Sequence, residues 1–104
     1  MVEPDRISVI IDRDLELIMP GYLANRQNDL LQISKALQDG DFISIQTIGH
    51  RMKGSGSGYG LDEITELGRE MEVLAKAHNK EDITKLATKL ANYLQRIDIV
   101  FKEL

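Results

Sequence analysis

The feature that most constrains the fold is a helical spacing of apolar residues that recurs in four segments of the chain. Within each segment, apolar side chains return every three or four residues, which places them on one face of a helix. Short polar connections such as QDGD (38–41) and HNKED (78–82) join the segments. Short connections make consecutive helices antiparallel neighbours. The sequence therefore predicts an all-α fold, an antiparallel up-down four-helix bundle that buries its four apolar stripes.

Proline, glycine and capping residues predict where the first two long helices begin and end. The first runs from Pro20 to about Gln38, because proline is tolerated in the first turn of a helix and disruptive later. Gly40 is placed to end this helix, and Asp41 to cap the next one. The second helix continues through a histidine into a glycine-rich stretch.

The third helix is predicted to begin near Leu61 or Asp62. The fourth is capped by Asn79, whose side chain can accept a hydrogen bond from the first turn. Its apolar face continues at helical spacing as far as Ile97 and Phe101. We therefore predict that the last helix extends almost to the end of the chain.

The first eleven residues show no helical spacing, so we interpret residues 1–11 as an N-terminal extended segment and residues 12–104 as the bundle domain. The apolar residues of this segment fit either an extended segment lying on the bundle or a strand, and both alternatives stay open: Ile7, Val9, Ile10 and Ile11. Asp12 can cap a short N-terminal helix that carries Leu15, Leu17 and Ile18 and that Pro20 breaks or restarts.

Length and composition exclude several classes of protein. A chain of 104 residues supports one core, and a net charge of −4 argues against non-specific nucleic-acid binding. No apolar run approaches the roughly 20 residues that span a membrane, and we see no signal peptide. The absence of cysteine excludes disulfides and thiolate chemistry. We expect a cytoplasmic monomer, either free-standing or part of a larger protein, with no metal or cofactor.

The stretch GHRMKGSGSGYG (49–60) is the candidate functional motif. Each glycine inside a helix costs about 1 kcal/mol relative to alanine, so this stretch is locally weak beside one histidine. The helical face that holds His50 also holds Ile43, Lys53, Gly54 and Ser57. The small residues beyond His50 leave a shallow surface around the imidazole, which suits a nucleophile that meets another macromolecule's active site. Ordinary alternatives are a solvated histidine and a glycine stop signal.

The residues from His50 to Gly56, followed by YGL (59–61) and by Met71 and Glu72, closely resemble the histidine-containing phosphotransfer (HPt) family. The resemblance implies that His50 accepts a phosphoryl group from an aspartyl phosphate or a histidine kinase and passes it to an aspartate of a receiver domain. It also implies that Lys53 lies beside the phosphoryl oxygens, that Gly54 lets the receiver approach, and that Glu72 contacts the imidazole. Arg69 matches a position that is often basic or imidazole in part of the family.

The chemistry of histidine supports the role that the resemblance gives to Glu72. A carboxylate that accepts a hydrogen bond from Nδ1–H keeps the proton there and leaves the lone pair of Nε2 free to attack phosphorus. Glu72 lies on the apolar stripe of its helix, and Gly68 allows two helices to approach closely. The ordinary alternatives are an exposed acid for Glu72 and a solvated lysine for Lys53. Ile43 and Tyr59 are either exposed contacts for a partner or part of the core.

We therefore interpret the chain as a phosphocarrier without an enzymatic activity of its own. The glycine-rich stretch GSGSGYG fits neither the GxGxxG spacing nor the GxxxxGK[ST] spacing of a nucleotide site. Two alternatives are a docking module that binds a receiver or kinase without carrying phosphate, and a small hydrolase. The hydrolase requires a pocket and a second acid or metal, and the sequence indicates neither.

Overall fold

The structure, a computed structural model, describes residues 5–104, and in this part of the chain it contains four α-helices and two short strands. In chain order the elements are β1 (Ile7–Asp12), α1 (Met19–Asp39), α2 (Phe42–Ser55), α3 (Asp62–Lys76), α4 (Lys80–Arg96) and β2 (Ile97–Lys102). Single turns of 3-10 helix lie at Arg13–Leu15 and Ser57–Tyr59. The predicted four-helix architecture is confirmed.

The helices end and begin where their capping residues predict. Gly40 adopts φ +68° after α1, a left-handed conformation that glycine takes without steric cost. The Asp41 side chain accepts a hydrogen bond from the Ser44 backbone N–H at the start of α2, and Asn79 accepts one from Asp82 at the start of α4. Within residues 5–104, none of these helices has the length and apolar character needed to cross a membrane.

Each helix packs against two others, since α1 contacts α2 and α4, and α3 contacts the same two. The core between them consists mainly of aliphatic residues and methionine, among them Ile33, Ile45, Met52, Ile64, Leu67, Met71, Ile83 and Leu90. Higher-numbered residues of α2 meet lower-numbered residues of α3, so these two helices run in opposite directions. For the complete bundle, the antiparallel up-down order stays a prediction.

The all-α prediction is confirmed for the bundle, but β1 and β2, which lie before and after it, form a parallel two-stranded sheet that was not predicted. The register pairs Ile7 with Ile97 and Ile11 with Phe101. α4 ends at Arg96, and Ile97 already has extended backbone angles. The spacing of Ile97 and Phe101 fits a helix, but alternate residues of β2 are also buried or half-buried, as in a strand with one covered face. Pairing with β1 decides between the two.

The predicted short N-terminal helix is not confirmed. Asp12 does act as a cap, accepting a hydrogen bond from the Asp14 backbone N–H, but only the single 3-10 turn follows. The side chains of Leu17 and Ile18 are 95% and 51% exposed, so they supply no buried helical face. α1 begins at Met19 with Pro20 in its first turn, which matches the interpretation that Pro20 starts a helix.

The strand is the alternative that the structure adopts for the N-terminal apolar residues. Ile11 is buried in the core, and Ile7 and Val9 pack against it. The boundary predicted between residues 11 and 12 falls inside β1, which ends at Asp12. The rest of the predicted N-terminal segment, residues 1–4, lies outside the described residues.

The feature of the fold that positions the site is the close approach of α2 and α3. A Cβ atom added at Gly49 would lie 2.7 Å from the Glu72 backbone nitrogen and 2.9 Å from the Gly68 carbonyl oxygen. A Cβ added at Gly68 would overlap the Lys53 backbone nitrogen. Two glycines therefore face each other where the helices cross. Only hydrogen fits at both positions, so the backbones are nearly in contact beside His50.

Candidate functional site

The centre of the candidate site is His50, whose imidazole lies on the surface of α2. Its side chain is 67% exposed, and Nδ1 lies 3.0 Å from Oε2 of Glu72 on α3. A carboxylate can only accept, so Nδ1–H is the donor in this hydrogen bond. In the neutral ring Nε2 then carries the free lone pair. The geometry thus selects one tautomer and leaves its nucleophilic nitrogen free of this hydrogen bond.

The same carboxylate also binds Lys53, one helical turn after His50. Lys53 Nζ donates to Glu72 Oε1 at 2.7 Å, so each Glu72 oxygen has one partner on α2. The Glu72 side chain is only 12% exposed, whereas that of Lys53 is 35% exposed. Glu72 therefore lies beneath the other two and fixes both relative to α3.

The hydrogen bond from Lys53 lowers the pKa of the Glu72 carboxyl below its ordinary value of 4.5. Partial burial opposes this shift, and the hydrogen bond to His50 adds to it. Since the pKa is lower in the folded protein than in the unfolded chain, the carboxylate stabilises the fold above pH 4.5. This contribution is lost as the pH falls through the lowered value. At neutral pH Glu72 is ionised and able to hold the Nδ1 proton.

We expect Glu72→Gln to be less stable than the wild type at pH 7, and the difference to shrink in acid. Glutamine keeps the size of the side chain but removes the charge that Lys53 and His50 face. Once the wild-type carboxyl is protonated, the two proteins carry the same charge at this position. Urea unfolding of both proteins from pH 7 down to pH 3 measures this difference. A gap that stays constant through the acid range would contradict it.

The surface beyond His50 is open. A Cβ added at Gly54 would have no atom within 4 Å, and Gly54 itself is exposed. Ile43, two turns before His50 on the same helix, is 78% exposed. Ser57 follows the end of α2 and is also exposed. The imidazole is thus flanked by an apolar side chain on one side and by small residues on the other.

Two residues predicted for the site make their contacts with other side chains. Arg69 binds both carboxylate oxygens of Glu66, at 2.5 and 2.6 Å, and its guanidinium makes no hydrogen bond to His50 or Glu72 among the contacts of residues 5–104. Tyr59 stacks on Tyr22 with ring centroids 3.9 Å apart and packs against the core. Of its two alternatives, the structure therefore favours core packing over an exposed contact.

Two residues near the site were missed by sequence reasoning. Thr65 on α3 hydrogen-bonds to Ser57 and to the Lys53 carbonyl oxygen. Tyr22 on α1 shares a hydrogen bond of 2.8 Å with the Ser55 hydroxyl. Thr65 lies seven residues before Glu72, a spacing that places both on one face of α3. That spacing is the only sequence signal for it, and polar residues in the first turns of helices are too common to single it out.

The chemistry available at the site is nucleophilic attack by an oriented imidazole beside a cation. Across residues 5–104, no group of three or more His, Cys, Asp or Glu side chains is arranged to hold a metal ion. His50 and His78 are the two histidines of the chain, and His78 stacks on Phe42 near the end of α3.

In a comparison with protein families, the Hpt domain matches residues 21–99. The match covers about three quarters of the chain and includes α2, α3 and all three residues of the hydrogen-bonded site. No curated protein and no solved structure matched the chain significantly. The resemblance drawn from the sequence is confirmed, and the chain belongs to the Hpt domain family, whose members are phosphotransfer modules of two-component signalling.

Proposed function

We propose that this protein carries a phosphoryl group on Nε2 of His50 and exchanges it with the aspartate of a response-regulator receiver domain. The observation that carries the proposal is the hydrogen bond of 3.0 Å between His50 Nδ1 and Glu72 Oε2. This bond orients the ring of a side chain that is 67% exposed. A partner's active site therefore has access to the nitrogen that must attack.

In the forward step, the lone pair of Nε2 attacks the phosphorus of the receiver's aspartyl phosphate. The new N–P bond forms as the P–O bond to the aspartate breaks, and the aspartate leaves as a carboxylate. The imidazole then carries a positive charge, which the ionised Glu72 stabilises through Nδ1–H. The reverse step returns the phosphoryl group to a carboxylate. No proton has to leave the histidine in either direction.

Lys53 supplies positive charge beside the reacting atoms. Its ammonium has three N–H donors, of which Glu72 takes one at 2.7 Å, so the others are available to phosphoryl oxygens. Phosphoryl transfer is catalysed mainly by positioning and charge neutralisation. Receiver domains as a class bring an acidic pocket and Mg²⁺. In this proposal the Lys53 ammonium adds a positive charge on the side of the phosphoryl group that faces this protein.

The small residues after His50 make room for the receiver, and Ile43 offers it an apolar contact. Gly54 and Ser57 lie one and two turns beyond the imidazole. Larger side chains at these positions would project beside the imidazole and obstruct the receiver. A histidine kinase, directly or through an intermediate receiver, is the expected origin of the phosphoryl group. This proposal needs no cofactor in the protein itself and no ATP site.

A transfer assay tests the proposal. Receiver domains from the same organism are charged with radiolabelled phosphate, mixed with the protein, and the label on the protein is followed by gel and mass spectrometry. We expect label that is stable in alkali and labile in acid, as a phosphohistidine is, and located on His50. If a receiver binds the protein but transfers no label to it, the carrier proposal fails and the docking module becomes the better explanation.

We expect substitutions at Gly54 to separate docking from stability. A Cβ added here has open space, and alanine and leucine have a better helix propensity than glycine, by up to about 1 kcal/mol. The melting temperature therefore rises by about 4–8 °C for each kcal/mol gained. Transfer from the receiver nevertheless slows, and more for Gly54→Leu than for Gly54→Ala. Thermal melts and transfer rates of both variants measure this. Normal transfer by Gly54→Leu would contradict the proposed docking surface.

A further inference from the structure

We propose that Thr65 is a positioning residue for Lys53, an inference that rests on the proposed function. Thr65 lies on α3 and does not touch His50. Its hydroxyl forms hydrogen bonds to Lys53, near the end of α2, and to Ser57, just after that helix. It therefore acts on the site through the backbone that carries Lys53.

The hydroxyl of Thr65 takes the place of one helical hydrogen bond. In a continuing helix, the Ser57 N–H would donate to the carbonyl oxygen of Lys53, four residues earlier. Here the Ser57 N–H donates to Thr65 Oγ1 at 2.9 Å, and Thr65 Oγ1 donates to the Lys53 carbonyl oxygen at 3.2 Å. One side-chain oxygen thus bridges the donor and acceptor where α2 ends.

This hydroxyl has its full set of hydrogen bonds. A hydroxyl can donate one hydrogen bond and accept two. Thr65 donates to the Lys53 carbonyl, accepts from the Ser57 N–H, and accepts from the Ser57 hydroxyl at 3.1 Å. The direction of each bond is therefore determined, because the oxygen has only one proton to donate.

The neighbouring glycine shows that this contact depends on close packing. A Cβ added at Gly56 would lie 2.5 Å from the Thr65 backbone nitrogen and 2.8 Å from its hydroxyl oxygen. Any side chain at this position would push the end of α2 away from Thr65. Gly56 is thus the residue that lets the hydroxyl reach the Lys53 carbonyl.

Three residues spaced along one face of α3 approach Lys53 at three different atoms. Thr65 binds its carbonyl oxygen, Gly68 lies against its backbone nitrogen, and Glu72 binds its ammonium group. The spacing of three and four residues places them in one row along the helix. Glu72 alone fixes only the tip of a long, flexible side chain. Thr65 fixes the Lys53 backbone, to which that side chain is attached.

The need for such a support comes from the sequence after Lys53. Gly54 lies in the last turn of α2 and Gly56 directly follows it, so both lower the intrinsic helix stability of this end. Gly58 and Gly60 lie beyond the helix. The glycines keep the surface low for a partner, but they also give the end of α2 little helix propensity of its own. A hydrogen bond from a neighbouring helix restrains this backbone without adding bulk to the docking surface.

The test compares Thr65→Val, which keeps the shape and removes the hydroxyl, with Thr65→Ser, which keeps the hydroxyl. In the unphosphorylated protein, we expect amide hydrogen exchange at Ser57 to become about tenfold faster in Thr65→Val, because its N–H loses its partner. Thr65→Ser should exchange like the wild type. Unchanged exchange in Thr65→Val would overturn the inference, whatever the protein's function.

The effect on function is measured with the receiver domain that charges the wild type, at saturating concentration. We expect Thr65→Val to lower the transfer rate about tenfold, since small misplacements of a charged group are costly in phosphoryl transfer. In a Lys53→Ala background the same substitution should have no further effect on the rate. Equal slowing in both backgrounds would show a general structural role and overturn the inference.

The two proposals fail in different ways. If the wild type accepts no phosphoryl group from a receiver that binds it, the proposed function fails and the positioning role fails with it. If the wild type transfers normally and Thr65→Val transfers equally well, only the inference about Thr65 fails. Thr65→Ser guards against a folding defect, because it should restore both the exchange rate and the transfer rate.

Discussion

His50→Gln is expected to accept no phosphoryl label above background while unfolding at the same temperature as the wild type. The loss is complete because an amide nitrogen has no free lone pair with which to attack phosphorus. Stability is kept because the His50 side chain is 67% exposed. Glu72, its hydrogen-bond partner, also keeps the bond to Lys53. Substitutions at such exposed positions usually change the free energy of unfolding by less than about 0.5 kcal/mol. Transfer assays and thermal melts of the same samples test both parts.

His78→Asn is the matched control for this experiment. It removes the second imidazole of the chain, which stacks on Phe42 with ring centroids 4.4 Å apart. His78 has φ +53°, and asparagine is among the residues that tolerate this conformation best. We expect His78→Asn to take label as the wild type does. Label retained by His50→Gln, or lost equally from both variants, would show that His50 is not the acceptor.

Gly68→Ala is expected to destabilise the protein by about 3 kcal/mol, near the upper end of the usual cost of overpacking a core. Besides overlapping Lys53 N, the added Cβ would lie 2.7 Å from the Gly49 carbonyl oxygen and 2.8 Å from Met52 Cβ. Backbone atoms cannot turn aside as a side chain can, so α2 and α3 must separate. The melting temperature should then fall by more than about 10 °C. Urea unfolding and thermal melts measure the loss.

Gly21→Ala is the control, because Gly21 is also helical but has no atom within 4 Å of an added Cβ. Alanine there should stabilise the protein by about 0.5–1 kcal/mol through helix propensity alone. The opposite signs of the two Gly→Ala substitutions separate the close helix approach from the general effect of replacing glycine. If Gly68→Ala unfolded like Gly21→Ala, the tight crossing of α2 and α3 would be contradicted.

The helices could be predicted from the sequence because the interactions that define them are local. Hydrogen bonds in a helix join residues four apart, so apolar spacing and caps such as Asp41 and Asn79 contain most of the information. The strands could not be predicted in this way. Ile97 and Phe101 fit a helical face as well as an alternating strand, and only pairing with residues near the other end of the chain distinguishes them.

The same difference between local and distant interactions explains what was predicted of the site. His50 and Lys53 lie three residues apart, so one helix brings them together whatever the rest of the fold does. Glu72 was associated with them through a family resemblance, and the packing of α3 on α2 supplies the contact. Neither local spacing nor the resemblance predicted the contacts of Thr65 and Arg69. The hydroxyl of Thr65 reaches the site across a helix crossing, whereas Arg69 is held by Glu66 on its own helix.

The pairing of the two ends of the chain also bears on the order of folding. Joining β1 to β2 directly would close a loop of about ninety residues, and the chain entropy lost in closure rises with loop length. The helices, by contrast, can assemble step by step, because α1 and α2, α2 and α3, and α3 and α4 are each neighbours in sequence and in space. Once assembled, the helices already hold the ends close together. We therefore expect the sheet to form after the helices and not to serve as the folding nucleus.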